Sequence, residues 1–219
     1  MSEFKAKKSV ALSGIVAGST SLSTVGHSGN DLHYRGYDIK DLAENCEFEE
    51  VAYLILYGEL PNADELARYK GELAELRELP NQVKAILELI PRSAHPMDVL
   101  RTAVSALGSF HTEDASHSIE SAREVAHRLI ACTPSALLYW YHFTHSGKRI
   151  SLSTPHDSVA GHFLALLHQE APRESWIKAM QASLILYAEH EFNASTFTAH
   201  LLNGARQFNP YGFVIDISN

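Results

Sequence analysis

Leu184-Ile185-Leu186-Tyr187-Ala188-Glu189-His190-Glu191-Phe192-Asn193-Ala194-Ser195-Thr196 begins as an apolar helix and ends in a crowd of ligand-binding groups. Glu189, His190, Glu191, Asn193, Ser195 and Thr196 fall within one or two helical turns. A polar cluster at the end of a buried helix is a cap or a site. Imidazole suits a site, because it donates a hydrogen bond to a carboxylate or ketone and titrates near neutral pH. On residue types alone His190 reads as a helix-end residue, where a cation meets the negative pole.

Outward from this stretch, the 219 residues suit one large domain or one and a half small ones. Apolar residues make up 45%, enough for a substantial core, and charged residues 20%, which argues against disorder. The net charge of −8 leaves no basic face for nucleic acid, so no nucleic-acid partner is expected. No apolar run approaches the length of a membrane span. Cys46 and Cys132 fit no metal spacing, and a reducing cytoplasm is the simplest setting. Lys5, Lys7 and Lys8 before Val10 imitate a signal peptide, but Ser13 and Gly14 break the apolar part, so an N-terminal arm is expected.

Residues 9–31 read as strand or loop, because Gly14, Gly18, Gly26 and Gly29 interrupt any helical period. No G-x-G-x-x-G or Gly-Lys-Ser/Thr pattern occurs. Leu32 to Ile39 reads as a short strand turning at Gly36, with Asp38 capping a helix near Lys40. Arg35 reads as a structural ion pair holding the arm. From residue 40 onward the pattern is helical nearly throughout. One helix runs from Glu49 to Tyr57 and ends at Gly58. The next is opened by an Asn62/Glu65 capping box and stopped by Pro80. Further helices cover Gln82 to Ile90 and the stretch after His95-Pro96, with Pro96 at its first position. Ser121 to Ile130 and Ser135 to Thr144 read as two helices broken by Pro134. Ser151 to Asp157 reads as a mobile loop, Ser158 to His168 as a helix, and Arg173 to Glu191 as the last one, with Trp176, Ala179, Met180, Ser183, Leu184 and Tyr187 at helical spacing. His142 with His145, and His162 with His168, read as surface pairs. The fold class is all-α, multi-helical, with a small extended N-terminal element.

The run Ala188 to Thr196 resembles the substrate-histidine segment of the citrate synthase family, in wording closest to its 2-methylcitrate branch. Leu32 to Ile39, Ser9 to Gly14, Val25 to Asp31 and His95 to Leu107 resemble their counterparts in that family. The resemblance covers roughly residues 7–199 and breaks at His200. It implies three segments: an arm with short strands over 1–39, a partial citrate-synthase-like large domain over 40–199, and a divergent tail over 200–219. It also implies a chain whose C-terminal part is missing.

By the same resemblance, the reaction joins an acyl-CoA to oxaloacetate. A base removes a proton from the acyl α-carbon, and the enol attacks the ketone. His190 matches the histidine that binds oxaloacetate and polarises its carbonyl. The branch implies propionyl-CoA as substrate, with acetyl-CoA also accepted, 2-methylcitrate and CoA as products, and propionate catabolism as the setting; citrate synthase is the alternative. The resemblance implies no metal and no prosthetic group, acyl-CoA being a substrate. It implies a cytoplasmic homodimer whose sites are completed by the partner subunit and a smaller C-terminal domain. The family's other essential groups follow Gly-Pro-Lys and Gly-His-Pro patterns, with an aspartate base and arginines later. None of these patterns occurs here, and Gly161-His162 is followed by Phe163. No catalytic residue is therefore assigned, and the chain alone is not expected to turn over. Two rivals stand beside this reading. His190-Glu191-Phe192-Asn193-Ala194 starts like a zincin motif but ends in Ala194, not His. A non-catalytic helical module making contacts through Tyr139 to Phe143 is the other.

Overall fold

The structure is a computed structural model and describes residues 20–26, 29, 31–111, 118–190 and 195–196. It is mostly helical, as the periodicity requires. Among the described residues three short strands, β1 (Ser23–Val25), β2 (Leu32–Tyr34) and β3 (Tyr37–Asp38), form an antiparallel sheet in the order β1-β2-β3. Ser23 pairs with Tyr34, and Tyr34 with Tyr37. The Tyr34/Tyr37 hairpin closes through Arg35 and Gly36, both at positive φ (49° and 92°), the pattern of a type I′ turn. The Arg35 guanidinium donates to Ser21 O and Oγ and to Ile55 O. The arm is thus held by hydrogen bonds to neutral groups, not by the ion pair expected from sequence.

Among the described residues eight helices can be delimited: α1 (Ile39–Asn45), α2 (Phe48–Tyr57), α3 (Ala63–Glu75), α4 (Asn81–Leu89), α5 (Pro96–Phe110), α6 (Ile119–Ser146), α7 (Val159–His168) and α8 (Glu174–Leu186). Their starts are written locally. Asp38 Oδ1 accepts from Lys40 N–H at the head of α1. At α3 the Asn62/Glu65 capping box is complete. His95 Nδ1 caps α5 through Met97 N–H, with Pro96 at the first position. Gly58, at φ 100°, ends α2 in the left-handed conformation.

Three expectations about helix limits are corrected. The expected break at Pro134 is absent, and α6 runs unbroken through that residue. An interior proline costs about 3 kcal/mol. That cost is offset because Ala131, Cys132, Ser135, Ala136 and Tyr139 around it are all buried against neighbouring helices. α3 stops at Glu75 rather than at Pro80, because the chain turns to bury Arg77, which donates to His156 O and Asp157 O. α8 stops at Leu186 rather than at Glu191, because its last turn is captured by the sheet, as described below.

α6 is the central element and packs against α3, α4, α5 and α7. The main apolar cluster joins Leu79, Val83, Leu87, Val99, Leu107, Trp140 and Leu166. A second cluster holds Tyr34, Ile39, Leu42, Val51, Leu54 and Ile185, joining the sheet to α1, α2 and α8. On α8 the buried residues are Gln181 and Ile185, whereas Trp176 and Tyr187 from its helical stripe are 38% and 87% exposed. Gln181 Oε1 accepts from Phe48 N–H (2.6 Å), so α8 caps the start of α2. The Ser151–Asp157 loop is pinned: Leu152 is buried, Arg77 holds the His156 and Asp157 carbonyls, and Thr154 bonds His162. Among the described residues no helix is long and apolar enough to cross a membrane.

Candidate functional site

The N-terminal sheet and the C-terminal end of α8 meet at one side chain. Tyr34 closes β2, and its ring is fully buried in the second apolar cluster. Its hydroxyl lies 3.0 Å from Ile185 O and 3.1 Å from Glu189 O, and accepts from Glu189 N–H at 3.3 Å. Helices end with carbonyls that lack partners. Here Ile185 O receives both Ala188 N–H and the tyrosine. Ser23 Oγ, buried in β1, donates to Glu189 Oε1 at 3.4 Å. Glu189 is therefore held through main chain and side chain by two strands that lie more than 150 residues earlier.

His190 follows directly and is exposed, four residues past the last helical residue. The sequence expectation of a histidine at a helix end is corrected: the chain leaves α8 first and presents the ring from an anchored, non-helical segment. Ser195 and Thr196 are helical and exposed. Glu191, Asn193 and the tail 200–219 lie outside the described residues, as do 1–19 and the polar link 112–117. Three clefts of about 530, 490 and 330 Å³ occur elsewhere, two beside the Ser151–Asp157 loop and one beside Glu88 and Arg149, and none of these three includes His190.

The remaining singled-out histidines are structural. His162 is fully buried, not on a surface as expected. Its Nε2 is 3.1 Å from Ser135 Oγ and its Nδ1 3.0 Å from Thr154 Oγ1. Gly161 beside it has little room for a side chain: a Cβ there would lie 3.0 Å from His156 Cβ and Ser158 Oγ, so both would have to give way slightly. His142 bonds Leu166 O, and His145 stacks on Tyr141. Among the described residues no group of three His, Cys, Asp or Glu side chains is placed to hold a metal ion. Cys132 is buried and donates to Leu76 O.

Burial, with Arg77 and His156 nearby, lowers the His162 pKa to about 3. Above the ordinary pKa of about 6.5 this ring is neutral in both folded and unfolded chains. Below it the unfolded chain takes up a proton that the folded chain refuses, so stability falls as pH falls. Between pH 7.5 and 5 this one group is expected to cost about 2 kcal/mol, the slope approaching about 1.4 kcal/mol per pH unit below the unfolded pKa. Urea unfolding of the wild type and of His162→Gln across that range checks it: the wild type should lose stability more steeply. Parallel slopes would refute it.

Sequence reasoning missed Tyr34 as an anchor and Glu49 as a buried group. Glu49 is 0% exposed, and its Oε1 accepts from Val159 N–H (2.6 Å) at the start of α7. A signal existed for Glu49, which shares a helical face with Ala52 and Tyr53 at i+3 and i+4. For Tyr34, only the strand alternation was readable.

Residues 11–214 match the family described as citrate synthase, C-terminal domain. The chain is 55% identical over 201 residues to the 2-methylcitrate synthase of Shewanella oneidensis, covering 92% of this chain and 53% of that protein. It is 36% identical over 211 residues to 2-methylcitrate synthase 1 of Corynebacterium glutamicum, covering 94% and 55%. Its fold superposes with a TM-score of 0.80, at 30% identity, on the citrate synthase of the archaeon Thermoplasma acidophilum, solved as a ternary complex with carboxymethyl coenzyme A and oxaloacetate. That match covers 90% of this chain and 51% of the other. The chain spans about half the length of the relatives it matches.

Proposed function

This chain belongs to the citrate synthase family, and on that premise we propose that it carries the oxaloacetate-holding part of a 2-methylcitrate-synthase-type acyltransferase. The whole enzyme condenses propionyl-CoA with oxaloacetate and releases 2-methylcitrate and CoA. The observation that carries this reading is the 55% identity, over 92% of the chain, to a 2-methylcitrate synthase. The exposed His190, in the segment that resembles the family's substrate-histidine run, supports its role.

The chemistry asks for two things at the electrophile. Oxaloacetate must be held, and its ketone oxygen must meet a donor placed for the charge that develops as the acyl enol attacks. An imidazole N–H does both from a fixed backbone. On this reading His190 donates to the ketone oxygen, and the proton-abstracting base and the carboxylate-binding arginines are supplied from outside the residues described. Acyl-CoA enters as substrate, with no metal or prosthetic group. The working form is a cytoplasmic homodimer, and the exposed Trp176, Leu186 and Tyr187 along α8 fit a face that another surface covers.

Oxaloacetate is expected to raise the melting temperature of the 219-residue chain, since a ligand at a hundredfold its Kd stabilises by about 2.7 kcal/mol. CoA release by the chain alone is expected to be absent. A chimera with this chain in place of the matching part of the Shewanella oneidensis relative should release CoA faster from propionyl-CoA than from acetyl-CoA. No thermal shift with either oxaloacetate or acyl-CoA would favour a non-catalytic helical module. Faster release from acetyl-CoA would reassign the chimera to citrate synthesis.

A further inference from the structure

The hydroxyl of Tyr34 ties three backbone groups on either side of a helix end to the N-terminal sheet. A buried tyrosine hydroxyl ordinarily finds one partner. This one lies within hydrogen-bond distance of Ile185 O, in the last turn of α8, and of both the N–H and the O of Glu189. The ring is clamped at its other end, fully buried among Ile39, Leu42, Val51, Leu54 and Ile185. The strand position is fixed in turn by the two-residue turn and by Arg35, which spans from Ser21 to Ile55 O. The residue after Glu189 is His190. His190 is exposed, and its backbone begins at the Glu189 peptide, so the orientation of that peptide sets the direction in which its Cα–Cβ bond leaves the chain.

We infer that Tyr34 is a positioning residue for His190: its hydroxyl fixes the Glu189 peptide and thereby the direction in which the imidazole meets substrate. This rests on the reading of His190 as the oxaloacetate ligand, but the placement of the ring is testable without substrate. The sheet is then part of the site's scaffold, and the hydroxyl sets ligand affinity through geometry while never touching the ligand. Loss of one such hydrogen bond corresponds to about a fivefold to tenfold change in an equilibrium.

The test uses the 219-residue chain in four forms: wild type, Tyr34→Phe, His190→Gln, and Val83→Ala. The last removes volume from the main apolar cluster, where Val83 is fully buried, and serves as a control for general destabilisation. The readouts are the imidazole NMR signals, with the His190 signal identified by its disappearance in His190→Gln, and oxaloacetate Kd by calorimetry. In Tyr34→Phe the His190 signal should move or broaden, and Kd should rise about fivefold to tenfold. Val83→Ala should change neither while the chain stays folded. An unmoved His190 signal and an unchanged Kd in Tyr34→Phe would overturn the positioning role. If His190→Gln binds oxaloacetate as tightly as wild type, the substrate reading fails instead, and the NMR comparison still decides whether Tyr34 orients the ring.

Discussion

Replacing His190 with alanine is expected to leave the fold intact and to abolish most of the oxaloacetate-dependent chemistry. The ring is exposed, four residues past α8. Truncating it removes little buried surface, and the cost in stability should stay within about 0.5 kcal/mol. Its loss to chemistry is of another order. Removing one donor aimed at a developing oxyanion typically lowers kcat by about 10²–10³, or about 3–4 kcal/mol of transition-state stabilisation. In the Shewanella chimera, kcat with propionyl-CoA should fall by that factor. In the 219-residue chain, the thermal shift with oxaloacetate should vanish while the melting temperature without ligand stays put. A variant that keeps both the shift and the rate would remove His190 from the site.

Glu49→Ala should produce a large loss of stability in the helical body. Glu49 is fully buried on α2, and one carboxylate oxygen receives Val159 N–H at the start of α7. A carboxyl oxygen at a helix N-terminus satisfies an N–H group that has no partner within the helix. Lys70 and Arg77 lie near enough to interact with it electrostatically. Arg77 is itself buried and spends two donors on the His156 and Asp157 carbonyls. Removing the side chain leaves the buried Val159 N–H without its partner and an unfilled space beside it, which together cost on the order of 3–5 kcal/mol. For a domain of this size that is on the order of 10 °C in melting temperature.

Burial is the largest influence on the Glu49 carboxyl and raises its pKa, while the Val159 N–H and Lys70 pull it down. The net direction is upward. This group's contribution to stability is therefore fully present below the unfolded carboxylate pKa and is lost as pH rises through the folded value. Glu49→Gln, whose amide oxygen still accepts from Val159 N–H, should lose less than half of what alanine loses. It should also lose less stability than wild type as pH rises from 4 to 7. Equal losses for alanine and glutamine would show that the Val159 hydrogen bond contributes nothing, and a melting temperature unmoved by alanine would refute the buried-anchor role.

Much of the helical frame was legible because its signals are short-range. Asp38, the Asn62/Glu65 pair, Pro96 and Gly58 act on backbone groups within four residues, so their spacing in the chain is their geometry. The Gly36 turn was legible for the same reason. The limits that failed are those where a distant element outbid the local preference. Pro134 breaks an isolated helix, yet α6 continues because burial on several faces exceeds the local cost. α8 should have carried on through Glu191 by periodicity, yet Tyr34 takes its last turn and the peptide of Glu189.

The candidate site divides the same way. The residue types around His190, and the likeness of that run to a family segment, are properties of adjacent letters, and the sequence by itself determined the all-α class, the helix starts and the choice of His190 as the residue to watch. Only the tertiary structure decided that His190 stands outside the helix on an anchored peptide, that Glu49, Arg77 and His162 are buried rather than solvated, and that the face of α8 bearing Trp176 and Tyr187 is the exposed one. Capping and turn energies act over a few residues and can be read from order alone. Burial and the partnering of polar groups depend on which surfaces meet, and residues 34 and 189 meet only once the whole chain has packed.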